Sequence, residues 1–367
     1  MAGAWGPAGA QQTVADRLIA AGHWKQARAW VKAQPTSADQ ALINFLLSQI
    51  RFAFGDRSAP LPLAEKAVSL NGRVAKFHRQ LAEAVGVQAQ HASPFHQLFL
   101  ARKFRREIDT AIELDPRDVL AQRDLLEFYL LAPAIAGGDS HKAAQTAERI
   151  GAIDVPEGYL AQARIAVFQK RTAEAEMLLR EGAEARPPSY HAQIELARFY
   201  LDPEHLNRAA AEMAGRYALE LDRSRIEAYK LLARLYAERA EWSLLDSILK
   251  EAAQQNPDDL APYFYAAEEL LGARREPARA EQYLRKYLTE APEGNEPRAP
   301  EAGWKLGLAL EAEGRTGEAM AEWRRSLEAD PTSPAGRELK RVRALCAATY
   351  NAAPARGNQH TPPCVQF

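Results

Sequence analysis

Cysteine is nearly absent from this 367-residue chain: there are two, Cys346 and Cys364, both near the C-terminus. A disulfide scaffold and a cysteine-based zinc site are thereby excluded. No run of about 18 apolar residues occurs, so no segment reads as crossing a bilayer. Neither sign of charge prevails: 47 Lys and Arg stand against 48 Asp and Glu, a formal net charge of −1. No global field therefore draws the chain to a polyanion or an anionic membrane. Motifs of catalysis are missing too. There is no Gly-rich phosphate loop carrying a Lys, no Gly-x-Ser-x-Gly elbow and no His-Glu-x-x-His. The nearest approach, Gly137-Gly138-Asp139, lacks the strand before it and the Lys-Ser/Thr after it, and reads as a loop closed by a helix N-cap at Asp139 or Ser140. His78, His91 and His96 cluster in sequence, but a metal site needs three or four converging ligands, and they read as helix and loop surface. Acidic neighbours such as Glu268-Glu269 point in different directions on a helix, as a solvated face does, not as a general acid–base pair. The expectation is a protein without a catalytic site, cofactor or bound metal.

What is present is apolar and helical. The composition, 47% apolar and 26% charged, suffices for a folded core. Alanine makes up roughly one residue in five, above ordinary usage. It has the highest helix propensity and lets helices approach closely. The N-terminus has neither a basic nor a hydrophobic segment, so a cytoplasmic location is expected. The periplasmic or exported alternative rests on Ala8-Gly9-Ala10 before Gln11, which has the small-x-small form of a leader cleavage site. The last four residues resemble a prenylation box only superficially, because Gln366 is polar where an aliphatic residue is required.

Several segments close in the same way: Glu113-Leu114-Asp115-Pro116, Gln255-Asn256-Pro257, Thr289-Glu290-Ala291-Pro292 and Glu328-Ala329-Asp330-Pro331. Each follows one amphipathic stretch and precedes another. The clearest window is 300–333, with Leu306-Gly307, Ala309, Gly314, Ala319, Trp323 and Asp330-Pro331. Two helices fit there with a turn near Gly314. Gly307 and Ala319 lie where the paired helices cross, and the terminal Pro stops the second helix because it lacks an amide proton and restricts the residue before it. The same register recurs over about 226–259, 260–293, 156–187 and, slightly longer, 188–223. Upstream it loosens. Leu81-Ala82 and Phe104, Ile108 and Ala111 make one unit with about ten extra residues, roughly Gly86–Pro94. Leu125-Leu126, Tyr129, Ala143 and Ala147 make another with about five extra, Leu131–Asp139. Ala15, Gly22, Ala27 and Val31 begin the series, followed by Leu47, Gly55, Ala64 and Ala67.

This recurrence resembles the tetratricopeptide repeat (TPR), a helix-turn-helix unit with Leu-Gly, aromatic, Ala and Pro positions at fixed offsets. The match is degenerate: Trp304 falls one place beyond the usual aromatic position, and Ser326 replaces the second Ala. The resemblance covers nearly the whole chain, strongly from 156 to 333 and weakly before 75. It implies an all-α, right-handed TPR superhelix (an α-solenoid) of about eight to nine units, in which stacked units bury a core that no single unit can. The expected organisation is a flexible N-terminus over 1–12, degenerate units with loop insertions over 13–155 and a clearer array over 156–333. A capping helix over 334–350 and a disordered tail over 351–367 complete it.

By the same resemblance, the first helix of each unit lines a concave groove through its fifth and ninth positions. The ninth gives Arg164, Arg198 and Arg234. Lys230 lies one turn before Arg234, and Arg123 takes the fifth position of an earlier unit. These predict a basic ladder able to hold carboxylates of an acidic or C-terminal peptide. The alternative is pairing with acidic neighbours such as Glu195 or Glu238. Tyr265 and Trp304, taken at the fifth position of adjacent units, are either groove anchors for an apolar side chain or, for Trp304, packing on the capping helix. The carboxylate clamp of the family's chaperone-binding members is not matched, since Arg234 and Ala266 stand where it has Asn. The two insertions occupy the same joint of neighbouring units and are predicted to lie side by side on one edge, where insertions gather on binding faces. In the second, Pro133, Ile135, Gly137 and Gly138 are the candidates, unless Ile135 tucks into the core. The expected function is a non-catalytic protein- or peptide-binding scaffold with no nucleic acid and no membrane insertion. A structural subunit using its insertions or convex face is the competitor, and a helical-repeat RNA binder is a further one that the even charge disfavours. Oligomeric state is not legible.

Overall fold

The computed structural model describes residues 13–90 and 92–352, the last seven by backbone alone. The readings made for residues 1–12, for His91, for the cysteine side chains and for the tail beyond 352 lie outside these residues. The chain divides into two compact units at Arg225/Ile226. All regular structure among the described residues is helical. Unit 1 holds α1 (Val14–Ala20) with α2 (Trp24–Lys32), α3 (Gln40–Ala53) with α4 (Pro60–Leu70), and α5 (Ala75–Ala89) with α6 (Pro94–Leu114). It continues through α7 (Val119–Leu131) with α8 (Ser140–Ile153), α9 (Val155–Phe168) with α10 (Thr172–Glu184), and α11 (Tyr190–Leu201) with α12 (Arg208–Leu221). Unit 2 holds α13 (Glu227–Glu238) with α14 (Trp242–Gln255), α15 (Ala261–Gly272) with α16 (Pro277–Tyr287), α17 (Ala299–Ala312) with α18 (Thr316–Ala329), and then α19 (Ala335–Ala352), which packs on α18.

The boundaries follow from short polar side chains and proline. Asp39 accepts from the Ala41 and Leu42 amides, Asp118 from Leu120 and Ala121, and Asp154 from Glu157, each satisfying N–H groups that a helix start leaves orphaned. The recurrent closing motif also has a structural form. Asp115, Asp222 and Asp330 are extended residues ending α6, α12 and α18. Each turns its carboxylate onto the amide two residues on, at 2.9–3.1 Å, the Asx-turn that reverses the chain.

Within each pair the crossing points are small. Ala163, Ala197, Ala233, Ala280 and Ala319 are all at most 1% exposed, small side chains that let the paired helices approach closely. First helices of successive pairs also touch, α7 to α9 to α11 in unit 1 and α13 to α15 to α17 in unit 2. The cores therefore run across pairs. Phe45 of α3 and Phe77 of α5 share one cluster with ring centroids 5.0 Å apart, and α5, α6, α7, α8 and α9 share another. Burial that depends on the neighbour is what makes such an array stable.

The stretch 86–94, expected as a loop insertion, is mostly helix. α5 runs on to Ala89, and α6 starts at Pro94 and extends for 21 residues. Val87, Gln88 and Ala89 continue a helix readily, and Pro94 at the first helical position costs no hydrogen bond. The second insertion is a loop, with a single 3₁₀ turn over Ala134–Ala136. Its two glycines have separate reasons. Gly137 sits at φ +108°, the left-handed region. A side chain on Gly138 would run into the Ala132 carbonyl, whose carbon would lie 2.8 Å away. Asp139 then caps α8 on the His141 and Lys142 amides.

Candidate functional site

The cations predicted for a ladder emerge on the first helices, and each is already engaged. In unit 1 Arg164 of α9 donates through Nε and Nη2 to both oxygens of Glu127 on α7, at 2.6 and 2.8 Å. Arg123 of α7 lies 3.5 Å from Glu157 of α9, which also takes His191 Nδ1 of α11 at 2.6 Å. Burial pushes the Glu157 carboxyl up, but His191 and Arg123 outweigh it and hold the group below its ordinary value. Arg198 pairs with Glu195, one turn away on its own helix, at 2.7 Å. The row is thus a set of charge-assisted bonds stitching α7, α9 and α11 together.

In unit 2 the loop between α16 and α17 reaches the same kind of position. Glu296 accepts from Lys230 Nζ at 2.6 Å, and its side chain is only 5% exposed. Lys230 and Arg234 lie over the Tyr265 ring, 5.5 and 5.9 Å from its centroid. Burial, with Glu296 beside it, pushes the Tyr265 hydroxyl well above its ordinary range. Glu296 itself is pushed up to about 7 by burial, against the pull of Lys230. Trp304 is half-buried, with Lys305 5.0 Å over its ring. Its backbone carbonyl accepts from Trp323 Nε1 at 3.0 Å.

His78 departs from its surface reading. It is buried, with Nδ1 2.8 Å from Glu107 and Nε2 3.1 Å from the Gly72 carbonyl. The covering residue is α6, whose 21-residue length carries Glu107 over α5. His96 is exposed beside Phe99. Asp202, Glu204 and His205 come together on the turn after α11, where His205 stacks on Phe199 with centroids 4.4 Å apart.

The two insertions meet. The end of α5, the start of α6, the end of α7 and the Pro133–Ala136 loop enclose an open cleft of about 820 Å³. Its floor is the stacked pair Phe104 and Phe128, centroids 5.8 Å apart. Phe95, Leu131 and Ile135 stand at its rim, 93%, 63% and 79% exposed. Ile135 is therefore outside the repeat core, because the 3₁₀ turn carries it away from α7 and α8. Pro133 lines the cleft, and Gly137 packs near Phe128.

This succession of paired helices is similar to the structure of yeast Tom70. Its structure aligns over 94% of this chain and 78% of its own, at 15% identity and a TM-score of 0.52. The fold is that of a tetratricopeptide-repeat protein. TTC0263, a thermophilic TPR protein of Thermus thermophilus, aligns at 18% identity over 51% of this chain and 96% of its own, TM-score 0.44. The human IFIT1 dimer with m7Gppp-AAAA aligns at 14% identity over 86% of this chain and 80% of its own, TM-score 0.44. No protein-family model and no curated protein matches the sequence. Set on the TPR fold, the sequence register missed Glu127, Glu157 and Glu296, the partners of its cations. One signal for them exists: Arg164 and Glu127 are 37 residues apart and His191 and Glu157 are 34, about one repeat, which in stacked units brings side chains side by side.

Proposed function

We propose that the chain is a non-catalytic scaffold that holds another protein, and that an apolar segment of that partner docks in the cleft formed by α5, α6, α7 and the Pro133–Ala136 loop. The observation that carries this reading is the exposure of Phe95, Leu131 and Ile135 around an apolar floor. Contiguous apolar surface of this kind on a folded unit marks an interaction site. Covering three such side chains is worth on the order of 5 kcal/mol before association costs. The first-helix cations support the scaffold rather than the contact. A partner carboxylate would have to displace Glu127 from Arg164, or Glu296 from Lys230, to engage them. The near-equal charge favours protein over nucleic acid as the partner.

Affinity capture from an extract of the source organism tests the reading. The protein is used as wild type, as Phe95→Asp with Ile135→Asp, and as Arg198→Ala with Arg234→Ala. The cleft reading expects one partner that is captured by the wild type and by the arginine variant and lost with the aspartate variant. Loss with the arginine variant alone returns the contact to the first-helix face.

A further inference from the structure

The cleft carries its acidic residues on the α5 and α7 side, Glu127 among them. Glu83 of α5 and Asp124 of α7 line it, and Arg79 lies against them, its Nη1 3.8 Å from Asp124 Oδ2. Burial raises the Glu83 carboxyl against the pull of Arg79. Burial also raises Asp124, to about 7, against Arg79 and with the charge of Glu83 adding to it. Arg79 acts on both carboxylates and Arg123 on Asp124, and the Arg79–Asp124 contact is too long for a hydrogen bond. Carboxylates partly withdrawn from water favour any cation brought to them.

The dimensions fit a helix. Lining residues on α6 run from Pro94 to Phe104 and on α7 from Asp124 to Leu131. At a rise of about 1.5 Å per residue these walls are about 15 and 10 Å long, two to three turns of a docked helix. Apolar anchors at the rim and floor and acids on the α5 and α7 side make an amphipathic ligand with a single cation complementary to the site. Resting on the docking reading above, we infer that the cleft takes an amphipathic helix of a partner protein that carries a lysine or arginine among its apolar side chains. The cation inserts between Glu83 and Asp124, while the apolar side chains cover Phe104, Phe128, Leu131 and Ile135.

A displayed library of amphipathic helices about 14 residues long, roughly four turns, randomised on the apolar face, serves as the probe. It is selected on the wild-type protein and counter-selected on Phe95→Asp with Ile135→Asp. The selected helices are expected to carry Lys or Arg at one apolar-face position. Replacing that residue by norleucine is expected to weaken binding about tenfold, the scale of one charge-assisted hydrogen bond. Glu83→Gln with Asp124→Asn should remove the difference between the basic and norleucine helices while keeping the binding of the latter. Selected helices that bind in the cleft without a basic residue overturn the charge assignment and leave the docking reading standing. Enrichment that is equal on wild type and the aspartate variant, or no enrichment, overturns both.

Discussion

Gly307 offers a sharp test of how the pairs are packed. A β-carbon added there would overlap the Trp323 indole, lying 2.5 Å from Cδ1, 2.8 Å from Cε2 and closer still to Nε1. Carbon atoms pack at about 3.5–4.0 Å, so the ring must retreat by about 1 Å. It has no room, being fully buried and tied through Nε1 to the Trp304 carbonyl at 3.0 Å. Alanine in mid-helix is worth about 1 kcal/mol over glycine. Against that stand about 1–3 kcal/mol of overpacking and about 1 kcal/mol for a strained hydrogen bond to a buried donor. Gly307→Ala should therefore destabilise unit 2 by about 1–3 kcal/mol. Gly317 on α18 is the control, since nothing lies within 4 Å of its added β-carbon. Gly317→Ala should be neutral or stabilising by up to about 1 kcal/mol. Stacked helix pairs need not unfold in one step, so urea melts followed by circular dichroism are paired with hydrogen exchange at the α17 and α18 amides. Gly307→Ala as stable as wild type, or indistinguishable from Gly317→Ala, would refute the reasoning.

Gly158 and Gly151 repeat the test between backbones. A β-carbon on Gly158 would lie 2.8 Å from the Gly151 nitrogen and closer still to its Cα, whereas one on Gly151 meets Gly158 Cα at an ordinary 3.5 Å. Gly158→Ala should cost about 2 kcal/mol or more in a urea melt and Gly151→Ala almost nothing. Glu296 sets a pH dependence. Its folded carboxyl titrates at about 7 rather than 4.5, so between those values the folded state holds a proton that the unfolded state has lost. Stability is then highest below about pH 4.5 on account of this group and falls as pH rises to 7, by roughly 3 kcal/mol. The stability difference between wild type and Glu296→Gln, measured from pH 4 to pH 8, should move by that amount in favour of the variant, and a flat difference would count against it. His78 contributes stability that is lost in the same direction but from a different cause. Glu107 raises its pKa first, against burial, so the bond's contribution is full below the ordinary histidine value of about 6.5 and fades as pH rises through the folded pKa. The loss on His78→Gln should accordingly be larger at pH 6 than at pH 9.

Much of the fold was legible because its determinants are local. Asp115 and Asp330 end helices through their own turns, and Gly22, Gly55 and Gly314 mark turns where the backbone takes φ near +80 to +90°. Small residues such as Ala163 and Ala233 announce helix crossings by their spacing alone. The fate of 86–94 was not legible, since helix continuation and loop differ there by a few tenths of a kcal/mol per residue. Nor was Glu296, although the register left residues 294–299 unassigned between two units, a gap that in the folded chain delivers a carboxylate to Lys230.

By itself the sequence determined most of the helices and their pairing, because period, caps and small crossing residues act within one repeat. Only the tertiary structure decided what the charged and apolar side chains meet. Arg164 finds Glu127 37 residues away, and Phe104, Phe128 and Ile135 converge on one cleft. Such meetings depend on how successive pairs stack. Stacking is set by the sum of many weak contacts across repeats, which no single window of sequence contains.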